Sequence, residues 1–343
     1  MKGLVKEIGL EGASYREDLP IPKIKSNEVL VRVRACAICG TDIHIYNWTQ
    51  YAKERVKLPM VFGHEFAGEI VEIGANVNGY AIGDRVAGET HIPCGECEQC
   101  RTGNMHICEN MRIIGVQETG AFAEYVPVHH ACLWKLDDSI DYECGALLEP
   151  MGVGAHGVLS GEIGGKSIAI LGCGPIGLCA VGVANACGAN GIFAMDMTER
   201  KLDWARKMGA TVLINSQNED AVGVVRQATQ GKGVDVVVDY TGNQQAISLG
   251  FDMLKKGGRY TMVGLANGNI AIDVNESIIY KEARVNGVTG RQMYRTWYDC
   301  EKLIKSGKFD LKQVIGGVFA LGDYKKAFDA LKAGMPGKAL LIP

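Results

Sequence analysis

Four cysteines carry the sharpest chemical pattern in the sequence: Cys94-x2-Cys97-x2-Cys100-x7-Cys108. Four thiolates at such spacings can close a tetrahedral shell around one zinc ion, and with every ligand on one loop the metal orders that loop. Iron–sulfur ligation also uses four cysteines at short spacings and stays open at this point. A closed shell offers no position to a substrate, so a zinc held there would be structural. A second set is dispersed along the chain: Cys39-Gly40-Thr41-Asp42-Ile43-His44, then Gly63-His64-Glu65, then Glu149-Pro150. Cys39 and His64 offer a thiolate and an imidazole, and a carboxylate from Glu65 or Glu149 would complete three protein ligands. Catalytic zinc takes three such ligands and leaves the fourth position to water or substrate. Taken singly, a cysteine is usually core, a histidine usually satisfied, and Glu149 could sit on the surface.

A third pattern points to a nucleotide. Gly172-Cys173-Gly174-Pro175-Ile176-Gly177 follows one strand and opens a helix, as G-x-G-x-x-G does in dinucleotide sites. The glycines permit a tight turn and close backbone approach to a pyrophosphate, and the helix N-terminus offers unpaired N–H groups. Asp196 ends the next strand, where a carboxylate can accept hydrogen bonds from ribose hydroxyls or cap the following helix. Its charge favours NAD by repelling a 2′-phosphate, whereas the nearby Arg200 and Lys201 leave NADP as the lesser option.

These residues need a frame. At 343 residues two domains are expected. The first half alternates with period two, as in Glu28 to Ala35 and Gly68 to Gly74, and reads as strands with Gly-rich turns. From about residue 166 strands and helices alternate: Ser167 to Leu171, Pro175 to Cys187, Gly191 to Met195, Glu199 to Met208, Val234 to Val238, Gly258 to Val263 and Ala283 to Val288. That is the pattern of a doubly wound α/β sheet. A helix over Tyr324 to Leu331 and a strand near Ala339 to Ile342 close the chain. With 47% hydrophobic and 22% charged residues the composition is globular, and a net charge of −3 gives no reason to expect nucleic acid or an anionic membrane as partner. No export signal or membrane-spanning run is visible, which reads as a cytoplasmic protein. Of the twelve cysteines, the scattered Cys132, Cys144, Cys173, Cys179, Cys187 and Cys300 then read as buried thiols.

In combination, from Cys39-Gly40-Thr41-Asp42 through Gly63 to Gly68, Gly83-Asp84-Arg85-Val86, the four-cysteine lobe, Glu149-Pro150 and the Gly172 to Gly177 turn, the chain resembles the zinc-containing medium-chain dehydrogenase/reductase family. The resemblance implies a GroES-like, mostly β catalytic domain (1–152 with 296–343) around an inserted Rossmann domain (153–295). It implies two zinc ions per chain, the catalytic one on Cys39, His64 and Glu65, with Glu149 also catalytic. Thr41 and His44 would relay the proton, and His91 would help set substrate preference. NAD would lie on Gly172, Gly174, Pro175, Ile176, Gly177, Asp196 and Lys201, and on Val263, Gly264, Leu265, Val288 and Thr289 at later strand ends. The implied reaction is oxidation of a secondary alcohol.

A carboxylate at 149 resembles the branches that oxidise polyols or L-threonine. Ala37 to Trp48, Gly88 to His91 and Gly290 to Tyr298 are similar to the latter, whereas Val153 resembles the sorbitol or butanediol version. Arg291 and Arg295 join His91 as candidates for holding an amino acid's charged groups. The resemblance also implies a homotetramer acting on a small molecule. A catalytically silent nucleotide-binding protein is the reading from another class.

Overall fold

A computed structural model describes residues 1–266 and 268–343. The chain forms two compact units, Met1–Glu149 with Ile315–Pro343, and Pro150–Val314. The first unit is built on strand β1, Glu28–Ala37, whose Val29, Val31 and Val33 are buried while Arg32 and Arg34 reach solvent. Two short helices follow, α1 (Gly40–Tyr46) and α2 (Gln50–Arg55), and then strands β2 (Glu65–Ile73), β3 (Arg85–Gly88), β4 (His91–Ile92) and β5 (Arg112–Ile113).

Seven strands make the main sheet of this unit, in the order Leu133–Lys135, β3, β2, β1, Lys338–Ile342, Ile315–Ala320, with Tyr125–His129 also on β1. Two registers matter for the site: Ala37 of β1 faces Glu65 of β2, and Leu340 of the C-terminal strand faces Ala37. The N-terminal half and the tail thus share one core, with Phe62, Phe66, Phe122, Phe328 and Leu341 in it. Helix α3, Tyr142–Leu159, contains Pro150 and spans the division between the units.

The second unit holds a six-stranded parallel sheet. Its members are β6 (Ile168–Leu171), β7 (Ile192–Asp196), β8 (Val212–Asn215), β9 (Val234–Asp239), β10 (Leu254–Met262) and β11 (Arg284–Gly287), in the order β8-β7-β6-β9-β10-β11. Helix α4, Pro175–Ala186, leaves β6 where the strand order reverses, between β7 and β9. This is the doubly wound Rossmann arrangement, with its ligand crevice at the C-terminal strand ends.

The stretch 296–314, which the sequence reading gave to the first domain, packs in the second unit instead. Trp297 and Cys300 of helix α5 (Arg295–Lys305) are buried, and the Phe309 ring lies against Gly182 of α4. Helix α5 is amphipathic, and its apolar face covers the second unit's core rather than the first's.

Candidate active site and metal centres

The four-cysteine lobe is folded for a metal. The Sγ atoms of Cys94, Cys97, Cys100 and Cys108 all lie within 4.8 Å of one another, and no disulfide forms among them. Cys94 and Cys100 sulfurs are 4.0 Å apart, and those of Cys97 and Cys108 are 3.9 Å apart. Zn–S bonds of about 2.3 Å in a tetrahedron require sulfurs about 3.8 Å apart, so the four fit zinc. Backbone amides point at the sulfurs: Cys94 N–H donates to Cys108 Sγ and Cys97 N–H to Cys94 Sγ. Amides of Glu96 and Cys97 pull the Cys94 thiol down to about 6, whereas burial pushes Cys100 up to about 12.

The dispersed set also converges. Cys39 Sγ, one His64 nitrogen and a Glu65 carboxylate oxygen lie within 4.8 Å of one another. Cys39 is the N-cap of α1, and Asp42 in the first turn accepts its amide at 2.9 Å. The other Asp42 oxygen is 3.4 Å from His64 Nδ1. Both atoms are buried and make no closer hydrogen bond. A carboxylate behind one imidazole nitrogen directs the other at a metal, as metal-binding histidines require. Burial opposes charge on His64, but Asp42 and Cys39 outweigh it and hold its pKa well above the ordinary value. Taking up a metal therefore displaces a proton.

Glu65 and Glu149 differ in their surroundings. Glu65 is buried beneath Lys338, whose Nζ reaches both carboxylate oxygens, 2.6 Å to Oε2, and also donates to the Ile38 carbonyl at 3.2 Å. Burial disfavours the Lys338 charge, yet Glu65 and Cys39 raise its pKa above the ordinary lysine value. Glu149, also buried, sits close enough to act electrostatically on this pair but outside the metal group. The C-terminal strand thus brings an ammonium into the site, a residue the sequence gave no reason to select.

Thr41 and His44 are three residues apart on α1 and share a face. His44 is exposed, with Nδ1 3.1 Å from Thr49 Oγ1 and its ring 5.7 Å from that of Tyr51. Tyr51 on α2, also unselected, carries Arg55 4.5 Å over its ring. His91 is half-buried and paired through Nδ1 with the buried Glu89 carboxylate at 3.2 Å.

In the second unit, Gly172 has φ +91°, and a Cβ on Gly177 would stand 1.8 Å from the Gly172 carbonyl oxygen. Both positions exclude a side chain. Gly174, N-cap of α4 with Pro175 at N1 and Ile176 after it, faces open space where a Cβ would meet nothing within 4 Å. That cradle at the start of a twelve-residue helix fits a pyrophosphate. Asp196 closes the turn: Oδ2 accepts Cys173 N–H at 2.9 Å, and Oδ1 accepts Met197 N–H at 2.8 Å and faces Lys201 Nζ at 3.5 Å. Val263 and Gly264 amides donate to the Asp239 carbonyl beyond β10, Leu265 is exposed, and Val288 donates to Met262 beyond β11 with Thr289 next. All five stand at the C-terminal strand ends, the edge that carries Gly172. Arg291 is buried against Gly152, and Arg295 lines an 810 Å³ cavity with His156 and Val288.

Comparison with known proteins agrees with this geometry. Residues 25–138 match the alcohol dehydrogenase GroES-like domain, and residues 175–306 match the zinc-binding dehydrogenase family. L-threonine 3-dehydrogenase of Caldanaerobacter subterraneus subsp. tengcongensis is 45% identical over 100% of this chain and 99% of its own. Among solved structures, a zinc-binding dehydrogenase from Sinorhizobium meliloti bound to NADP superposes with a TM-score of 0.91 at 30% identity, covering 100% and 99% of the two chains. The 2R,3R-butanediol dehydrogenase of Bacillus subtilis gives 0.90 at 29% identity with the same coverage.

Proposed function

This chain belongs to the zinc-binding alcohol dehydrogenases, and within that family we propose that it oxidises the C3 hydroxyl of L-threonine with NAD. The product is L-2-amino-3-oxobutanoate, with NADH and a proton. The observation that carries the chemistry is the convergence of Cys39, His64 and Glu65 into one group of metal-ligand atoms. The substrate is supported by 45% identity over the whole chain to an L-threonine 3-dehydrogenase.

Cys39, His64 and Glu65 would hold the catalytic zinc, with Glu149 beside them, and the four-cysteine lobe would hold a structural one. Zinc in the first position supplies Lewis-acid polarisation of the substrate hydroxyl. Thr41 Oγ1 would accept the hydroxyl proton while handing its own to His44, which is exposed on the same face of α1 and would release it to solvent. NAD bound to the second unit would supply the acceptor for the C3 hydride. The Gly172–Gly177 turn would receive its pyrophosphate, and Asp196 Oδ2 would accept a ribose hydroxyl. The Asp196 charge favours NAD over NADP, although Lys201 offsets part of it.

Assembly as a homotetramer is supported by β11, which ends the parallel sheet and exposes Val285. Action in the cytoplasm is supported by twelve free cysteines. No helix among the described residues is long and apolar enough to cross a membrane.

Oxidation of a vicinal diol or polyol is the second reading, favoured by Val153 and by the fold shared with a butanediol dehydrogenase. An assay of NADH formation with L-threonine as the sole alcohol tests the first. Turnover that stops on metal removal supports it, and a zinc-loaded protein that makes no NADH from L-threonine refutes it.

A further inference from the structure

We infer that Asp239 is a positioning residue for the cofactor: its carboxylate fixes the turn after β9, on which the Gly172 turn and the Gly264–Leu265 turn both rest. The inference rests on the NAD reading and is independent of the substrate.

Asp239 is the last residue of β9 and is completely buried. In the parallel sheet it lies between Leu171 of β6, the residue before Gly172, and Met262 of β10. The strand order reverses at this place, and a dinucleotide crosses such a sheet there. A buried carboxylate is costly unless its oxygens are hydrogen-bonded. Both are turned to the residues that follow. Oδ1 accepts the Thr241 amide at 3.0 Å and the Thr241 hydroxyl at 2.6 Å, and Oδ2 accepts the Gly242 amide at 3.0 Å. The Thr241 hydroxyl in turn accepts the Asn243 amide at 3.0 Å. Asn243 caps the helix Gln244–Met253 through the amides of Gln245 and Ala246. One carboxylate thus joins strand end, turn and helix start.

The parts that would cradle the cofactor rest on that turn. With its hydroxyl held, Thr241 turns its methyl toward Gly172: a Cβ on Gly172 would stand 2.8 Å from Thr241 Cγ2. On the other side, a Cβ on Gly242 would meet the Leu265 carbonyl oxygen at 2.3 Å, and one on Gly264 would meet the Gly242 nitrogen at 2.3 Å. The three turns therefore close on one another with no room for a side chain. Asp239 has no exposed surface with which to touch a cofactor, so its influence passes through these turns.

Asp239→Asn keeps the shape and turns one acceptor into a donor that faces other donors. Losing a hydrogen bond to a charged group is worth about tenfold in an equilibrium constant. The Kd of NADH, read from its fluorescence in a titration of the zinc-loaded protein, should rise about tenfold. The Kd of ADP-ribose, competing with NADH, should rise with it. Adenosine, which carries no phosphate and needs only the Asp196 end of the site, should weaken by less than about threefold. Zinc content should stay the same. Thr241→Val is nearly isosteric, keeps a methyl against Gly172 and loses the hydroxyl that Asp239 holds. It should raise the Kd of NADH about threefold or more with the same split, and it carries the test should Asp239→Asn not fold.

Unchanged NADH affinity in the folded variants, or equal losses for NADH and adenosine, overturns the inference; equal losses would mark Asp239 as a residue of stability alone. If the unaltered protein binds no NADH, the cofactor reading fails first and takes this inference with it. If it binds NADH but makes none from L-threonine, the substrate reading alone fails.

Discussion

The two metal-binding regions of the first unit draw on the same kinds of ligand and differ in how the chain delivers them. In the lobe, Cys94 and Cys108 are fourteen positions apart, and the Cys94 and Cys97 amides donate to sulfurs of the cluster. Its geometry is local, closed and built from one residue type. In the other group, Cys39 caps a helix, His64 and Glu65 enter the facing strand, and the ammonium against Glu65 comes from 273 positions away. Its ligands are mixed and its second layer is charged. A closed shell can only hold a shape, whereas a mixed set backed by Asp42, Lys338 and Glu149 can bind and change a substrate. The difference between a staple and a catalyst lies in what surrounds the ligands.

The largest effect that would sharpen this contrast is expected for Cys39→Ser. Metal polarisation of a substrate oxygen contributes several kcal/mol, and each 1.4 kcal/mol is tenfold, so kcat/KM should fall about 10³-fold or more. Metal analysis of the same variant should find the lobe's zinc still present. Two zinc ions and full rate would break the assignment. His44→Ala comes next: turnover at neutral pH should slow about 10²-fold, the scale of general acid–base work, with both metals retained. Unchanged turnover would remove His44 from the proton path.

Asp42→Asn takes the charge from behind His64. Affinity for the catalytic zinc should weaken roughly 10–100-fold, and added zinc should restore activity. Titration against a chelator measures this, and an unaltered affinity would show that the 3.4 Å approach does not tune the ligand. Cys100→Ser, by contrast, should act on stability: the thermal midpoint should drop by roughly 10 °C, with the catalytic metal kept. The smallest effect concerns the metal-free lobe. At pH 7 an alkylating agent should modify Cys94, drawn down to about 6, well before Cys100, pushed up to about 12. Equal labelling by mass spectrometry would contradict that ordering.

What the sequence reveals follows the same division. The lobe and the Gly172–Gly177 turn are legible because their parts are neighbours along the chain and their spacing is the geometry. Asp196 is legible as an acid at a strand end, and the structure adds that it also braces the glycine turn through Cys173. Lys338 carries no local signal, because only the pairing of the C-terminal strand with β1 brings it to Glu65. Tyr51 is hidden for a similar reason: it matters through His44 on the neighbouring helix, which folding brings to it. Helix α3 escapes a periodicity reading because Pro150 and several glycines blur its apolar face. Strand β8, Val212–Asn215, does not stand out because it is only half buried, whereas β6, of the same length, is buried throughout and reads as a bare apolar run. The stretch 296–314 carries no local signal that says which core it joins.

The most direct test of the account is to measure kcat/KM of the purified, zinc-loaded protein with NAD for L-threonine, 2,3-butanediol and sorbitol side by side. The account predicts that L-threonine exceeds both by about tenfold or more, making Val153 a tolerated variation. A higher value for the diol or the polyol would keep the fold and the metal chemistry and contradict the substrate.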